Sequence, residues 1–230
     1  TPLGVAVNPA GTRAYVANGN SYTISVIDTA SNTVVATVAV GSYPTGVAVT
    51  PAGTRAYVAN LSSHTVSVID TASNTVVATV AVGTTPLGVA VNPAGTRAYV
   101  ANLNSNNVSV IDTAGNTVVA TVAVGTNPEG VTVNPAGTRA YVANQSSNTV
   151  SVIDTASNTV VATVAVGAQP VAFGVFIAPP PLPQGSGVWT PRASMPTARH
   201  GMSIGTINGL VYVVGGYGNG QLSVVEAYNP

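Results

Sequence analysis

Pro9-Ala-Gly-Thr-Arg-Ala-Tyr-Val-Ala-Asn18 returns letter for letter at residues 51–60, 93–102 and 135–144, each time 42 positions further on. Around it lie four longer units, Pro2 to Tyr43, Pro44 to Thr85, Pro86 to Asn127 and Pro128 to Gln169. A period near 40 residues marks a repeat architecture, in which each unit buries apolar surface against its neighbours.

Within the first unit, Gly4-Val-Ala-Val-Asn8 is a short extended run, strand a, stopped by Pro9-Ala-Gly-Thr12, whose Pro and Gly suit a tight turn. Arg13–Asn18 follows as strand b, a polar loop occupies 19–22, and Thr23–Asp28 is strand c. Thr29-Ala-Ser-Asn32 is the next turn, Thr33–Val40 is strand d, and Gly41 ends it. The runs are β-branched and rich in Val, so each unit reads as an antiparallel meander with no helix. Strand d carries valines on both sides, which implies a sheet buried on both faces, and a lone four-stranded sheet has nothing to bury against. Packing blades face to face around an axis solves this, so the expected fold is all-β, a β-propeller of four-stranded antiparallel blades. A linear β-solenoid is the alternative, although its repeats are usually shorter and its strands parallel.

Composition narrows the function classes. Lys+Arg is 6 and Asp+Glu is 6, so net charge is zero, and charged residues make up 5% of the 230 residues against about 25% in typical soluble domains. No electrostatic case exists for nucleic acid or for an anionic membrane surface. Apolar residues are interrupted every few positions by Thr, Asn, Ser, Gly and Pro, so no membrane-spanning helix of about 20 residues is expected. With no cysteine, disulfides, thiolate metal sites and thiol catalysis are excluded. The chain opens at Thr1 on a repeat boundary and reads as a piece of something longer.

The tract Ala14-Tyr-Val-Ala-Asn18, followed by Val26-Ile-Asp-Thr29 and Thr33-Val-Val-Ala-Thr37, resembles the YVTN family of β-propeller repeats, with Ala17 where the name-giving tetrapeptide has Thr. The resemblance covers residues 1–169. It implies one blade per repeat, a setting among secreted or surface proteins of bacteria and archaea, surface-layer proteins included, and no activity of its own.

After Gln169 the pattern changes. Residues 170–177 begin like another strand a but carry the only two phenylalanines, Phe173 and Phe176, and read as a terminal strand covering the end of the array. Ala178-Pro-Pro-Pro-Leu-Pro183 and Gln184-Gly-Ser-Gly187 form a stiff and then a flexible spacer. From Val188 to Pro230, the paired Gly215-Gly216 after a hydrophobic strand, Trp189, Arg199-His200 and Tyr228 resemble a kelch motif. The organisation expected is therefore blades with a terminal strand over 1–178, a linker over 179–187, and a kelch-like blade over 188–230. That last unit either closes the ring as a fifth blade or begins a second propeller. Lacking its outer strand, it leaves an unpaired edge at Ser223–Tyr228 for another protein or another copy of the chain.

Of the 42 offsets in a repeat, 31 are identical in all four copies and 11 vary, seven of them in the b–c loop and the d–a junction. In a meander these two connections share one side of the disc, and that side is the candidate ligand face. Its candidate residues are Asn20, Tyr22, Tyr43, His64, Asn104, Asn106, Asn127, Glu129, Gln145, Asn148 and Gln169. The competing explanation is that the a–b and c–d turns are too tight to change.

Elsewhere the chemistry-bearing residues read as structural. His64, beside siblings Tyr22, Asn106 and Asn148, is a solvated loop histidine without a partner for a metal. His200 sits at a kelch strand start as a packing or hydrogen-bonding residue. Asp28, Asp70, Asp112 and Asp154 each begin a turn, where a carboxylate accepts backbone N–H groups. Arg13, Arg55, Arg97 and Arg139 begin strand b, placed for a cross-strand pair with those aspartates. Strand a, which should line the axis, brings no charged group from Gly4 to Asn8 and their copies, so no catalytic residue, metal or cofactor is expected there.

Three roles follow. The first is a non-catalytic extracellular or cell-surface scaffold for adhesion, assembly or protein contact. The second is a multivalent glycan binder, with Tyr22 and Tyr43 stacking on a sugar while Asn20, Asn106, Asn127 and Gln145 hydrogen-bond it. The third, an enzyme, ranks last: the kelch resemblance suggests copper radical oxidases, which need a Cys this chain lacks. Asn60-Leu-Ser62, Asn107-Val-Ser109 and Asn144-Gln-Ser146 are glycosylation sequons.

Overall fold

A computed structural model describes residues 1–171 in full and, beyond them, the backbone of five strands at 203–207, 210–214, 217–218, 220–221 and 225–228. Phe173, Phe176, the spacer, Trp189, His200 and the Gly215-Gly216 pair lie outside the described residues.

The first blade consists of β1 (Pro2–Val7), β2 (Arg13–Asn18), β3 (Thr23–Asp28) and β4 (Thr33–Ala39). The second consists of β5 (Pro44–Val49), β6 (Arg55–Asn60), β7 (Thr65–Asp70) and β8 (Thr75–Ala81). The third holds β9 (Pro86–Val91), β10 (Arg97–Asn102), β11 (Asn107–Asp112) and β12 (Thr117–Ala123). The fourth holds β13 (Pro128–Val133), β14 (Arg139–Asn144), β15 (Thr149–Asp154) and β16 (Thr159–Ala165). Each is a separate four-stranded antiparallel meander in sequence order. Strands b and c fall where the turn residues place them. Strand a starts two residues earlier than expected, at Pro2, and strand d ends one residue earlier, at Ala39.

Register is set by the tight turns. Asn8 Oδ1 accepts from Thr12 N and Arg13 N at 2.8 and 2.9 Å, and Gly11 takes φ 69° in that turn. At this same end of strand b, Arg13 lies opposite Asp28, and the two side chains form an ion pair. Arg55–Asp70, Arg97–Asp112 and Arg139–Asp154 repeat it. Asp28 Oδ1 also accepts from Ala30 N and Ser31 N at 3.0 and 2.8 Å, which closes the c–d turn. Thr29 Oγ1 donates to Gly11 O at 2.6 Å and ties the two turns together. Side chain and backbone are so committed on this side that the turns of the four copies differ only by Thr50 in place of Asn and Gly115 in place of Ser.

Strand a is innermost: β1 lies beside β5, β5 beside β9, and β9 beside β13. The approach is close enough that a Cβ on Gly46 would stand 2.3 Å from the Leu87 carbonyl oxygen, so only glycine fits. Three apolar clusters occupy the three blade joints. In the first, Tyr15, Ile24, Val26 and Val38 meet Ala56, Val58 and Ile69. The second and third repeat these positions, as Tyr57 and Val80 against Val100 and Ile111, and Tyr99 and Val122 against Val142 and Ile153. The core is therefore radial, between blades, as in a propeller.

Strand d corrects the expectation of burial on both faces. Val34 and Val35 of β4 are exposed, and of its valines only Val38 is buried. Blades packed around an axis diverge toward the rim, so the outermost strand presents one residue to the next blade while the rest faces water.

Beyond the four blades, β17 (Ser203–Ile207), β18 (Leu210–Val214) and β21 (Val225–Tyr228) form a three-stranded sheet in that order, and β19 (Tyr217–Gly218) pairs with β20 (Gly220–Gln221). β17 also lies beside β1. Among the described residues β21 pairs with β18 alone.

Candidate functional site

The variable loops form one face because each d–a junction is held between two b–c loops. At the second joint, Val82 N donates to His64 O of its own blade at 3.1 Å, and Thr85 N donates to His64 Nδ1 at 3.1 Å. On the other side Leu103 N of the next blade donates to Thr85 O at 2.9 Å, and Asn104 Nδ2 donates to Thr85 Oγ1 at 2.9 Å. The third joint repeats this with amides: Asn127 N donates to Asn106 Oδ1 at 2.9 Å, and Ser146 Oγ donates to Asn127 Oδ1 at 2.7 Å. In the fourth blade Gln169 N donates to Asn148 Oδ1 at 2.8 Å. Blade 1 keeps only the backbone part, Val40 N to Tyr22 O at 3.0 Å and Leu61 N to Tyr43 O at 3.0 Å, since a phenol cannot fold back as an imidazole or amide does.

Tyr22, His64, Asn106 and Asn148, and the paired Tyr43, Thr85, Asn127 and Gln169, all take positive φ, between 51° and 61°. Asn adopts this left-handed geometry readily, which accounts for its frequency here. His64 Nδ1 and the Oδ1 atoms of Asn106 and Asn148 are thus engaged in the loops themselves, on residues that are exposed. His64 is exposed and also hydrogen-bonded, so it is more than a solvated histidine.

The structure brings Tyr22 and Tyr43 to the paired loop positions that His64 and Thr85 hold in the second blade. Tyr22 is 50% exposed. Asn20 lies exposed in the same loop as Tyr22 and reaches Thr1 Oγ1 at 3.5 Å, Asn104 takes the equivalent place in the third blade, and Gln145 stands where the first blade has Gly19. Ten of the eleven candidates therefore lie in the b–c loops and d–a junctions of the four blades, and Glu129 stands apart on β13.

Glu129 overturns the expectation that the central strands bring no charge. It stands in β13, half-buried at the loop-face end, and burial pushes its carboxyl above the usual carboxylate range. The sequence marks it by its difference from Leu3, Thr45 and Leu87, and the inner strand, expected from Gly130, begins at Pro128 and so includes it. No hydrogen bond or ion pair to its carboxyl occurs among the described residues. Nor do three or more His, Cys, Asp or Glu gather there into a group able to hold a metal.

Two sequons are closed by the fold. Asn60 and Asn144 are fully buried at the end of strand b, where Asn60 Nδ2 donates to Ser67 Oγ and Asn144 Nδ2 to Ser151 Oγ, both at 2.9 Å. Asn107 is partly exposed, and its Oδ1 accepts from Asn102 Nδ2 at 2.8 Å.

Comparison with known proteins agrees with this architecture. Residues 198–230 match the kelch motif. Hydrazine synthase from Kuenenia stuttgartiensis superposes with TM-score 0.70 at 29% identity, covering 72% of this chain and 49% of that one. U3-55K superposes with TM-score 0.63 at 14% identity, covering 71% and 51%, and shares the fold alone. The chain thus spans about half the length of the solved structures it matches. Among curated proteins, none matches the chain. No helix of the described residues is long and apolar enough to cross a membrane. Residues 5–173, which hold all four blades, match the choice-of-anchor I domain, and with that match over most of its length the chain is a β-propeller repeat protein belonging to the choice-of-anchor I family.

Proposed function

We propose that the chain is a non-catalytic scaffold at the outer surface of a bacterial or archaeal cell, making protein contacts through its loop face. The observation that carries this reading is the division of labour between the two sides of the disc. On one side the four blades repeat one Arg–Asp pair and nearly the same turns, with Thr50 in place of Asn and Gly115 in place of Ser as the exceptions, and on the other the same framework presents side chains that vary from blade to blade. The family name supports a surface setting, as does the resemblance to the YVTN repeats. The reading of residues 1–178, 179–187 and 188–230 as blades, linker and kelch-like unit belongs to the same proposal. The enzyme among the structural neighbours aligns over about half its length and its activity is not carried over.

The test is binding of the purified chain to the cell-envelope fraction of its source. Replacing Tyr22, Tyr43, His64 and Gln145 by Ser should lower affinity at least about tenfold, in line with loss of aromatic contacts at an interface centre. Unchanged binding by that variant would sink the loop-face reading. Exposed Tyr22 and partly exposed Tyr43 of blade 1 favour a second reading, glycan binding by stacking on the two rings. Selective signals on a glycan array, lost in Tyr22→Ala, would establish it in place of protein contact.

A further inference from the structure

The outer strand of each blade ends its sheet, and in the two inner blades both flanking blades are described, so the rim can be read there directly. Among the described residues β8 pairs with β7 alone and β12 with β11 alone. Which backbone groups the free edge offers follows from the ladder. Val82 N donates to His64 O, so these two residues form a bonded pair, and bonded and non-bonded pairs alternate along antiparallel strands. Val66 with Val80 and Val68 with Ala78 are then bonded inward, whereas Thr79 and Ala81, opposite Ser67 and Thr65, turn N–H and C=O away from β7. Val124 N donates to Asn106 O in the same way, so Thr121 and Ala123 face outward in the third blade. The side chains of all four are exposed.

Exposed edges are normally guarded by lysine or other charge, by proline, or by a bulge. Thr75–Ala81 and Thr117–Ala123 carry no charged residue and no proline, and the whole chain has no lysine. The guard present is a bulge at Val77 and Val119, which are 49% and 50% exposed. It interrupts the first half of each strand and leaves 78–81 and 120–123 in regular register. Net charge is zero, so no long-range repulsion holds copies of the chain apart.

From this we infer that the outer edges of β8 and β12 pair antiparallel with the same edge of a second copy of the chain. The strand itself specifies the occupant. Turned end for end about Val80, the edge sets Thr79 against Ala81 of the second copy and Ala81 against its Thr79, so each outward N–H meets an outward C=O. A surface that meets itself makes a two-fold contact, which closes on one pair. The same seven residues recur as the outer strand of every blade, so one disc can hold more than one copy, and contacts weak singly add up by avidity. This contact goes beyond the loop-face role and lies at the rim, so either can fail without the other.

The test is sedimentation velocity of the full chain across concentration, in which wild type should gain mass as concentration rises. Ala39→Pro, Ala81→Pro, Ala123→Pro and Ala165→Pro together remove an outward N–H from every rim strand and leave the ladder bonds in place. That variant should need at least about tenfold higher concentration to reach the same mass. Thr at the same four positions keeps the N–H and should associate like wild type. Circular dichroism reports whether the proline variant folds; if it does not, Thr37→Lys, Thr79→Lys, Thr121→Lys and Thr163→Lys, all at exposed positions, take its place. Replacing Tyr22, Tyr43, His64 and Gln145 by Ser should leave association unchanged. A monomeric wild type, undiminished association of the folded proline or lysine variant, or loss of association in the threonine or loop-face variant would overturn the inference.

Discussion

The Tyr57 hydroxyl donates to Asn116 Oδ1 at 3.2 Å, joining strand b of the second blade to the c–d turn of the third. The bond connects two invariant features of the repeat, the Tyr of the ten-residue stretch and the Asn of the Asp-Thr-Ala-Ser/Gly-Asn turn. It is a polar fastening beside the apolar cluster of that joint, and Thr85 adds others at the loop face through Leu103 N and Asn104 Nδ2.

Tyr57→Phe should therefore cost about 1 kcal/mol, the net worth of a typical buried hydrogen bond, and lower the melting temperature by a few degrees. Tyr141→Phe should fall within about 0.5 kcal/mol of the parent, because no repeat blade covers that ring. Equal effects of the two substitutions in thermal denaturation would contradict the joint described here.

Gly46→Ala should destabilise by at least about 1–3 kcal/mol, the usual cost of forcing extra atoms into a filled core, since its Cβ would meet the Leu87 carbonyl at 2.3 Å. Gly115→Ser should be nearly neutral. There the nearest atoms to a new Cβ lie 3.4 and 3.5 Å away, and Ser31, Ser73 and Ser157 already stand at that position. Urea midpoints of the two variants check the contrast.

Backbone N–H groups of Ser31, Ser73, Gly115 and Ser157 hold the turn aspartates below the ordinary carboxylate range, with the paired arginines adding to the effect. A carboxylate whose folded pKa is depressed contributes stability that is present above its unfolded value of about 4 and is lost as pH falls through the folded one. Melting temperature should thus decline as pH drops below about 4. Replacing all four aspartates by Asn should lower stability at neutral pH and flatten that acid decline; a parallel decline in the variant would show that other groups cause it.

Glu129 has the opposite sign. Its folded pKa is raised by burial, so its contribution is most favourable below the unfolded value and is lost as pH rises through the folded one. Glu129→Gln should raise stability at pH near 7 by less than about 1 kcal/mol, a bound set by solvent screening of a half-exposed group. The gain should vanish near pH 4. A gain independent of pH in calorimetry would assign the effect to packing instead.

Strand positions, to within two residues, and register were legible in the residues, because they depend on local bonds. Asn8 caps its own turn, Asp28 closes the next, and the Arg13–Asp28 pair then has only one place to form. The ring of loop residues was also visible, as variation against an invariant frame. What the side chains do there was not: that Asn106 and Asn148 spend their oxygens on the next junction follows from loops distant in sequence meeting across a blade.

By itself, then, the chain's order of residues determined the meander and its repetition, since turns are closed by atoms a few positions apart. Only the tertiary structure decided which valines are covered. Val122 and Val164 sit in the same repeat context, yet one is buried and the other open, because burial belongs to whatever stands opposite, and a repeat cannot encode where its own array ends.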